Sequence, residues 1–466
     1  MCLPFTLVPQ RSCRISAETE SPSASSRVAA GTMCFNHDFM CIFSFLGTEV
    51  RVSKGVTQWA AVYSWFVRYF FGGSGQRPSV LFTCFVSGFP AVSSAMKTIQ
   101  SLAVVALCFS FVLPSAFALD VWFGTSTSKK GESKGIYHAS FDPEKGTLSK
   151  AALAAEIGSP GFLAMHPNGK VLYAAARHAD GPAVVAYTIN DGKLTLLNHS
   201  LIEDGGAAHL AVHPNGKMVL TAQYGGGSTA VFPIDANGKL GTRSQLIKHG
   251  EGSKVVPGRQ DKPHAHWVGF DAGGKFAFVP DLGMDGVVVY KVSDDGAAIE
   301  RSGFVACPPG GGPRHMKFYG DYAYVLNELA LSVTSFTYDG AGKMEPIGTT
   351  PALSEEAKAQ ETFNSASEIR IHPSGQFVYS ANRGHDSITV YAADAGKLTV
   401  LEVEPIRGAW PRNFSLDPSG KWLIAAGGDS STAAVFAVDQ ETGKLSYQRA
   451  RNIHVPSPIC VLFEQP

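Results

Sequence analysis

Surplus charge is the first thing this chain lacks. Its 39 Lys and Arg are matched by 39 Asp and Glu, for a formal net charge of +0. Without a basic excess there is no electrostatic footprint for nucleic acid, nor for an acidic surface. Cysteine is scarce where a staple would count: beyond residue 118 the chain holds only Cys307 and Cys460. Two thiols make no disulfide framework, so packing must hold the fold, and Cys460 is expected as a small core residue. Sustained helical periodicity is also missing beyond residue 118, where only the polar stretch Leu353–Phe363 suits a short helix. Glycine, by contrast, is abundant at 49 residues and recurs at regular intervals.

Those intervals mark a degenerate repeat of roughly 45–58 residues, a period typical of propeller blades. One turn recurs as Gly146-Thr147-Leu148, Gly192-Lys193-Leu194, Gly238-Lys239-Leu240, Gly342-Lys343-Met344, Gly396-Lys397-Leu398 and Gly443-Lys444-Leu445, with a worn copy at Asp295-Gly296. A second turn recurs as His166-Pro167-Asn168-Gly169, His213-Pro214-Asn215-Gly216, His372-Pro373-Ser374-Gly375 and Asp417-Pro418-Ser419-Gly420. Proline presets one turn dihedral and glycine accepts positive φ, so these are hairpin tips, and His166, His213 and His372 read as turn residues. Short runs rich in Val, Ala, Phe and Tyr flank them. The expected fold is therefore all-β, a seven-bladed propeller. Inner strands are expected at Pro160–Met165, Ala207–Val212, His264–Gly269, Pro313–Phe318, Ser367–Ile371 and Pro411–Leu416. The first blade opens at Asp120 without an inner strand, and a spare one remains at Pro458–Phe463. The C-terminal strand is expected to close the ring.

The N-terminal region follows another grammar. Met96-Lys97, the apolar run Leu102–Leu113 and the small-x-small site Ala116-Phe117-Ala118 compose a secretory signal peptide at residues 96–118. Residues 1–95 read as an extension upstream of a start at Met96 or as a disordered segment, the alternative being a genuine membrane-active extension or an uncleaved anchor. The domain is placed at 119–466, exported to the periplasm or secreted after cleavage near Ala118, with no stable membrane span in the mature chain.

Propeller chemistry gathers where inner strands and the loops after second strands meet the central channel. The inner strands carry His209, His264, His266, Arg314, His315, Glu368 and Arg412. After the second strands come Arg177, Gln223-Tyr224, Asp281, Asn327-Glu328 and Asn382-Arg383. Arg314, Glu328 and Arg383 border apolar runs where solvated charge is unnatural, and either a site or inter-blade ion pairing explains them. His264 and His266 alternate along one strand and could ligate a metal, but no third ligand stands at fixed spacing, so no metal is expected. Gly225-Gly226-Gly227 and Gly310-Gly311-Gly312 lack the strand–loop–helix context of a phosphate cradle and read as flexible connections.

Across Leu119–Phe463 the chain resembles the lactonase family of seven-bladed propellers, which includes 6-phosphogluconolactonases and carboxy-cis,cis-muconate cyclases. The resemblance rests on Gln223-Tyr224-Gly225-Gly226-Gly227-Ser228, Lys262-Pro263-His264-Ala265-His266, Asp281-Leu282-Gly283-Met284-Asp285 and Gly312-Pro313-Arg314-His315. It continues through Asn327-Glu328-Leu329, Glu368-Ile369-Arg370-Ile371-His372-Pro373, Ser380-Ala381-Asn382-Arg383-Gly384 and Pro411-Arg412-Asn413-Phe414. It implies a cofactor-free lactone hydrolase of the 6-phosphogluconolactonase type, opening a sugar lactone or phospholactone. A muconate-type cyclase and a non-catalytic ligand-binding propeller remain alternatives. The implied catalytic residues are Glu328 or His266 as general base, with Arg314 and Arg383 as anion clamps. His264, His209, Arg412, Glu368 and Tyr224 are the expected substrate contacts. One departure stands out: Ala426-Gly427-Gly428-Asp429 has small residues where other blades put Asn plus a charge, which should thin the polar wall on that side.

Overall fold

The structure is a computed structural model that describes residues 118–128 and 132–464, together with four strands nearer the N-terminus. Those four pair as two antiparallel hairpins, Ala29–Phe35 with Phe39–Phe45 and Trp59–Phe70 with Ser79–Pro90. They fall in a unit, Met1–Pro114, distinct from Ser115–Pro466. The expected signal peptide at 96–118 lies outside the described residues except for Ala118. No described helix is long and apolar enough to cross a membrane.

From Leu119 onward the chain forms seven antiparallel sheets of four or five strands. The first blade takes its innermost strand from the other end of the chain: Pro458–Phe463 pairs with Leu119–Thr125, which pairs with Gly135–Asp142. The turn glycines behave as the sequence requires, with φ of +75° at Gly216 and +74° at Gly420, a region that other residues enter only at a cost. The expected helix in the insertion is Glu355–Ala359, and the Ser354 side chain accepts the N–H of Ala357 as its N-cap. One expectation needs correction. The fourth blade's inner strand, expected over His264–Gly269, is regular only at Gly269–Phe270, with a lone bridge from Ala265 to Asp281. Asp281 is the cause: its carboxylate takes the N–H of His264 at 2.6 Å, a bond a regular ladder would have given to a carbonyl.

Alternating residues on each strand pack against the neighbouring blade, so the hydrophobic core is divided into seven clusters, one per blade interface. The cluster holding Val121, Phe123, Ile424, Val435, Val461 and Phe463 seals the last blade to the first. Each buried Val, Leu or Phe contributes about 1.5–3 kcal/mol, so closure needs no disulfide, and Cys307 and Cys460 are both buried free thiols.

The His-Pro turns do more than turn. His213 Nδ1 accepts the N–H of Asn215, which leaves Nε2 to donate to the Gly274 carbonyl of the next blade at 2.8 Å. His166 reaches Gly216 and His372 reaches Gly420 in the same way, at 3.0 and 3.1 Å. Each histidine thus clasps the equivalent turn of its neighbour.

Candidate functional site

A repeated irregularity delivers side chains to the axis. The pairing of inner with second strand shifts register between Ala207 and His209, between Pro313 and His315, between Pro411 and Asn413, and between Pro458 and Cys460. The extra residues are Ala208, Arg314, Arg412 and Ile459. A β-bulge re-aims the side chain it carries, and all four line one small axial cavity.

The second strands contribute through alternation. Asn327 turns its amide to Ser332 and Thr334 at 3.0 and 2.9 Å, and Asn382 does the same with Ser387 and Thr389 at 3.1 and 2.9 Å. With each Asn fastening its hairpin, the next residue points the other way, which sends Glu328 and Arg383 into the channel.

The main cavity is about 460 Å³ and is lined by Tyr224, His266, Glu328, Arg383 and Arg412, with Arg177 and Pro182 at blade two. Glu328 is its electrostatic centre. Oε2 receives Arg314 Nε at 2.8 Å and Arg383 Nη2 at 3.1 Å, while Oε1 receives Arg259 at 2.6 Å. Burial alone would raise this carboxyl's pKa, but the Arg383 and Arg314 guanidinium groups outweigh it and hold the carboxyl far below the usual range. Arg314 is 2% exposed. Burial, then neighbouring Arg383, pulls its pKa down to about 9, still cationic at neutral pH. Inter-blade ion pairing and site formation are thus the same arrangement.

His266 is 5% exposed, and its Nδ1 is buried without a hydrogen-bond partner. Burial, reinforced by Arg314 and His315, drives its pKa well below the ordinary imidazole value, so the ring is neutral. Arg383 Nε is likewise buried and unpartnered. Arg412 lines three cavities and, among the described residues, forms no ion pair.

The other expected contacts are placed differently. His264 lies outside the cavity wall: it stacks on Tyr224 at 4.3 Å and donates Nδ1–H to the Tyr224 carbonyl at 2.8 Å, so it orients that tyrosine. His209 packs on Phe162 at 3.9 Å, away from the cavity wall. Glu368 is fully buried and accepts from His315 Nδ1 at 3.1 Å. His315 Nε2 in turn accepts from Arg314 at 3.0 Å, which makes Glu368 a support for the guanidinium. The glycine segment 310–312 is pinned instead of flexible, since Gly310 and Gly312 donate their amides to Asp285 at 2.8 and 2.9 Å. Gly428 and Asp429 line a second cavity of about 760 Å³, and the wall on that side is polar after all, through Ser126, Glu132, Asp429, Ser431 and Ser457.

Arg259 was not foreseen. It sits in the long link between blades three and four, where Gln260 folds the segment inward through Leu282 and Asp285 at 2.9 and 2.5 Å. The signal was available: an insertion over the channel mouth is where functional residues concentrate.

Fold and cavity together define a propeller whose axial cavity sets a neutral imidazole among cations. The chain belongs to the lactonase family of seven-bladed β-propellers, whose description, "Lactonase, 7-bladed beta-propeller", matches residues 120–463. It is 38% identical over 351 residues to the 6-phosphogluconolactonase of Bacillus subtilis, covering 73% of this chain and 97% of that protein. It is 32% identical to that of Formosa agariphila, covering 70% and 94%. Among solved structures it is similar to the periplasmic gluconolactonase of Pseudomonas aeruginosa, with a TM-score of 0.69, 27% identity, and coverage of 75% of this chain and 99% of that one. This kinship supports a lactone-hydrolysing propeller with a small lactone as substrate.

Proposed function

We propose that the protein is an exported lactonase that opens a sugar lactone, with His266 as general base. The observation that carries this reading is the pairing, in one cavity, of an unprotonated imidazole with the guanidinium groups of Arg383 and Arg412. Water attacks the lactone carbonyl carbon while the ring nitrogen facing the cavity takes its proton. The oxyanion of the tetrahedral intermediate lies against the guanidinium N–H groups. Collapse breaks the ring C–O bond, and the imidazolium returns the proton to the departing alkoxide, giving the hydroxy acid. Glu328, bound by three cations, is too weak a proton acceptor for the base role and serves to fix Arg314 and Arg383. Removal of the 96–118 signal would put the enzyme outside the cytoplasm, which favours an unphosphorylated sugar lactone over its 6-phosphate. The likeness to a periplasmic gluconolactonase supports that preference.

Steady-state hydrolysis of gluconolactone and of its 6-phosphate tests the assignment. His266→Asn should lower kcat by about 100-fold or more, and Arg412→Ala should raise KM by about ten-fold. Unchanged turnover in His266→Asn would remove the base. No hydrolysis of any lactone by wild type would favour a binding propeller, and loss of muconate ultraviolet absorbance would favour the cyclase.

A further inference from the structure

Outside the axial site, three side chains of the second blade converge on one point. His178 ends the strand Val171–His178, Asp180 sits in the two-residue turn that follows, and His199 lies on the outer strand Lys193–Leu201. His178 Nδ1 approaches Asp180 Oδ2 at 3.0 Å, and His199 Nε2 approaches the same oxygen at 3.1 Å. Their potential ligand atoms all lie within 4.8 Å of one another. The two imidazole rings stack with centroids 3.7 Å apart and planes 22° apart.

His178 Nδ1 accepts the N–H of Asp180 at 3.3 Å, so it carries a lone pair, and that lone pair faces a carboxylate oxygen. A cation between them would turn the repulsion into attraction. The spacing is close to what one needs: ligands about 2.0–2.2 Å from a common ion stand about 3–3.5 Å from each other, against 3.0 and 3.1 Å here.

We propose that His178, Asp180 and His199 form a binding site for a divalent transition ion. Two imidazoles and one carboxylate are the donor set of a borderline ion such as Zn²⁺, Ni²⁺ or Co²⁺, with water completing the shell. The site has a structural consequence for the cavity. Arg177 and Pro182, immediately either side of the ligand turn, line the main cavity, so a bound ion ties the outer strand to the rim and stiffens that wall. The ion takes no part in bond making or breaking.

The test uses the full chain, stripped with a chelator and titrated with Co²⁺ while visible d–d absorption and calorimetry are recorded. Wild type should bind one equivalent at this site, and Zn²⁺ should displace it. His178→Ala/His199→Ala should lose that equivalent, and Asp180→Asn should weaken it at least ten-fold. His266→Asn should keep it. Zn²⁺ should raise the wild-type melting temperature and leave the double variant unmoved, while both hydrolyse lactone equally in chelator. Saturable binding that persists in the double variant would overturn the proposal, as would the absence of saturable binding below millimolar Co²⁺.

Discussion

Glu328 shows how far one side chain's role depends on its neighbours. A lone carboxylate in a cavity is the obvious proton acceptor, yet three guanidinium groups share this one. Glu328→Gln should leave Arg314 and Arg383 as uncompensated buried cations, a loss of about 3–5 kcal/mol, and calorimetry should show a lower melting temperature. Activity should fall as well, but the pH profile separates the two roles. If His266 is the base, the acid limb of kcat/KM survives in the variant and lies below the ordinary imidazole pKa. Loss of that limb would return the base role to Glu328. Much of this candidate site was legible in the chain itself: charges beside apolar runs at equivalent places in different blades can meet at the axis, as a site or as inter-blade ion pairs. The hidden parts had physical reasons. Which of His264 and His266 faces inward depends on Asp281 breaking the ladder, a tertiary effect. Arg259 stands in an insertion outside the repeat, so no equivalent position pointed to it.

At the level of turns and strands, glycine and proline spacing disclosed the two recurring hairpin tips of the blades, because those residues act through local dihedral preferences; the two hairpins between Ala29 and Pro90 carried no such signal. The bulges at the start of the inner strands left no such mark, since one extra residue in a degenerate repeat looks like ordinary length variation. They nonetheless decide that Arg314 and Arg412 face the axis. The His-Pro tips were legible as turns and opaque as clasps, for their partners lie in the following blade. His213→Ala removes a buried bond and strands the Gly274 carbonyl, so urea unfolding should register a loss of about 1–3 kcal/mol. Because His213 is remote from the cavity lining, kcat and KM on gluconolactone should stay at wild-type values. A kinetic defect in that variant would mean that the turns communicate with the axis.

For the whole molecule, three imidazoles shape the response to acid. Burial keeps His209, His266 and His315 well below their ordinary pKa. Below about pH 6.5 the unfolded chain binds protons at these rings that the folded chain does not, so stability falls as pH drops through that window. The limiting slope is about 1.4 kcal/mol per pH unit for each ring. Melting temperature measured from pH 8 to pH 5 should decline accordingly, and His209→Gln should flatten the decline by about a third of that slope. The depressed carboxyl of Glu328 acts in the same direction at lower pH, where its ionised form is lost only under strong acid. Deletion of residues 458–466 should abolish cooperative unfolding, because the first blade would expose the strand Leu119–Thr125 and the cluster that seals it to the seventh.

That borrowed strand also sets a schedule for biogenesis. Ile459, carried by the strand Pro458–Phe463, lines the axial pit, so the pit is incomplete until that strand docks. A folding chain therefore carries six complete blades and one that lacks its inner strand until the latch arrives.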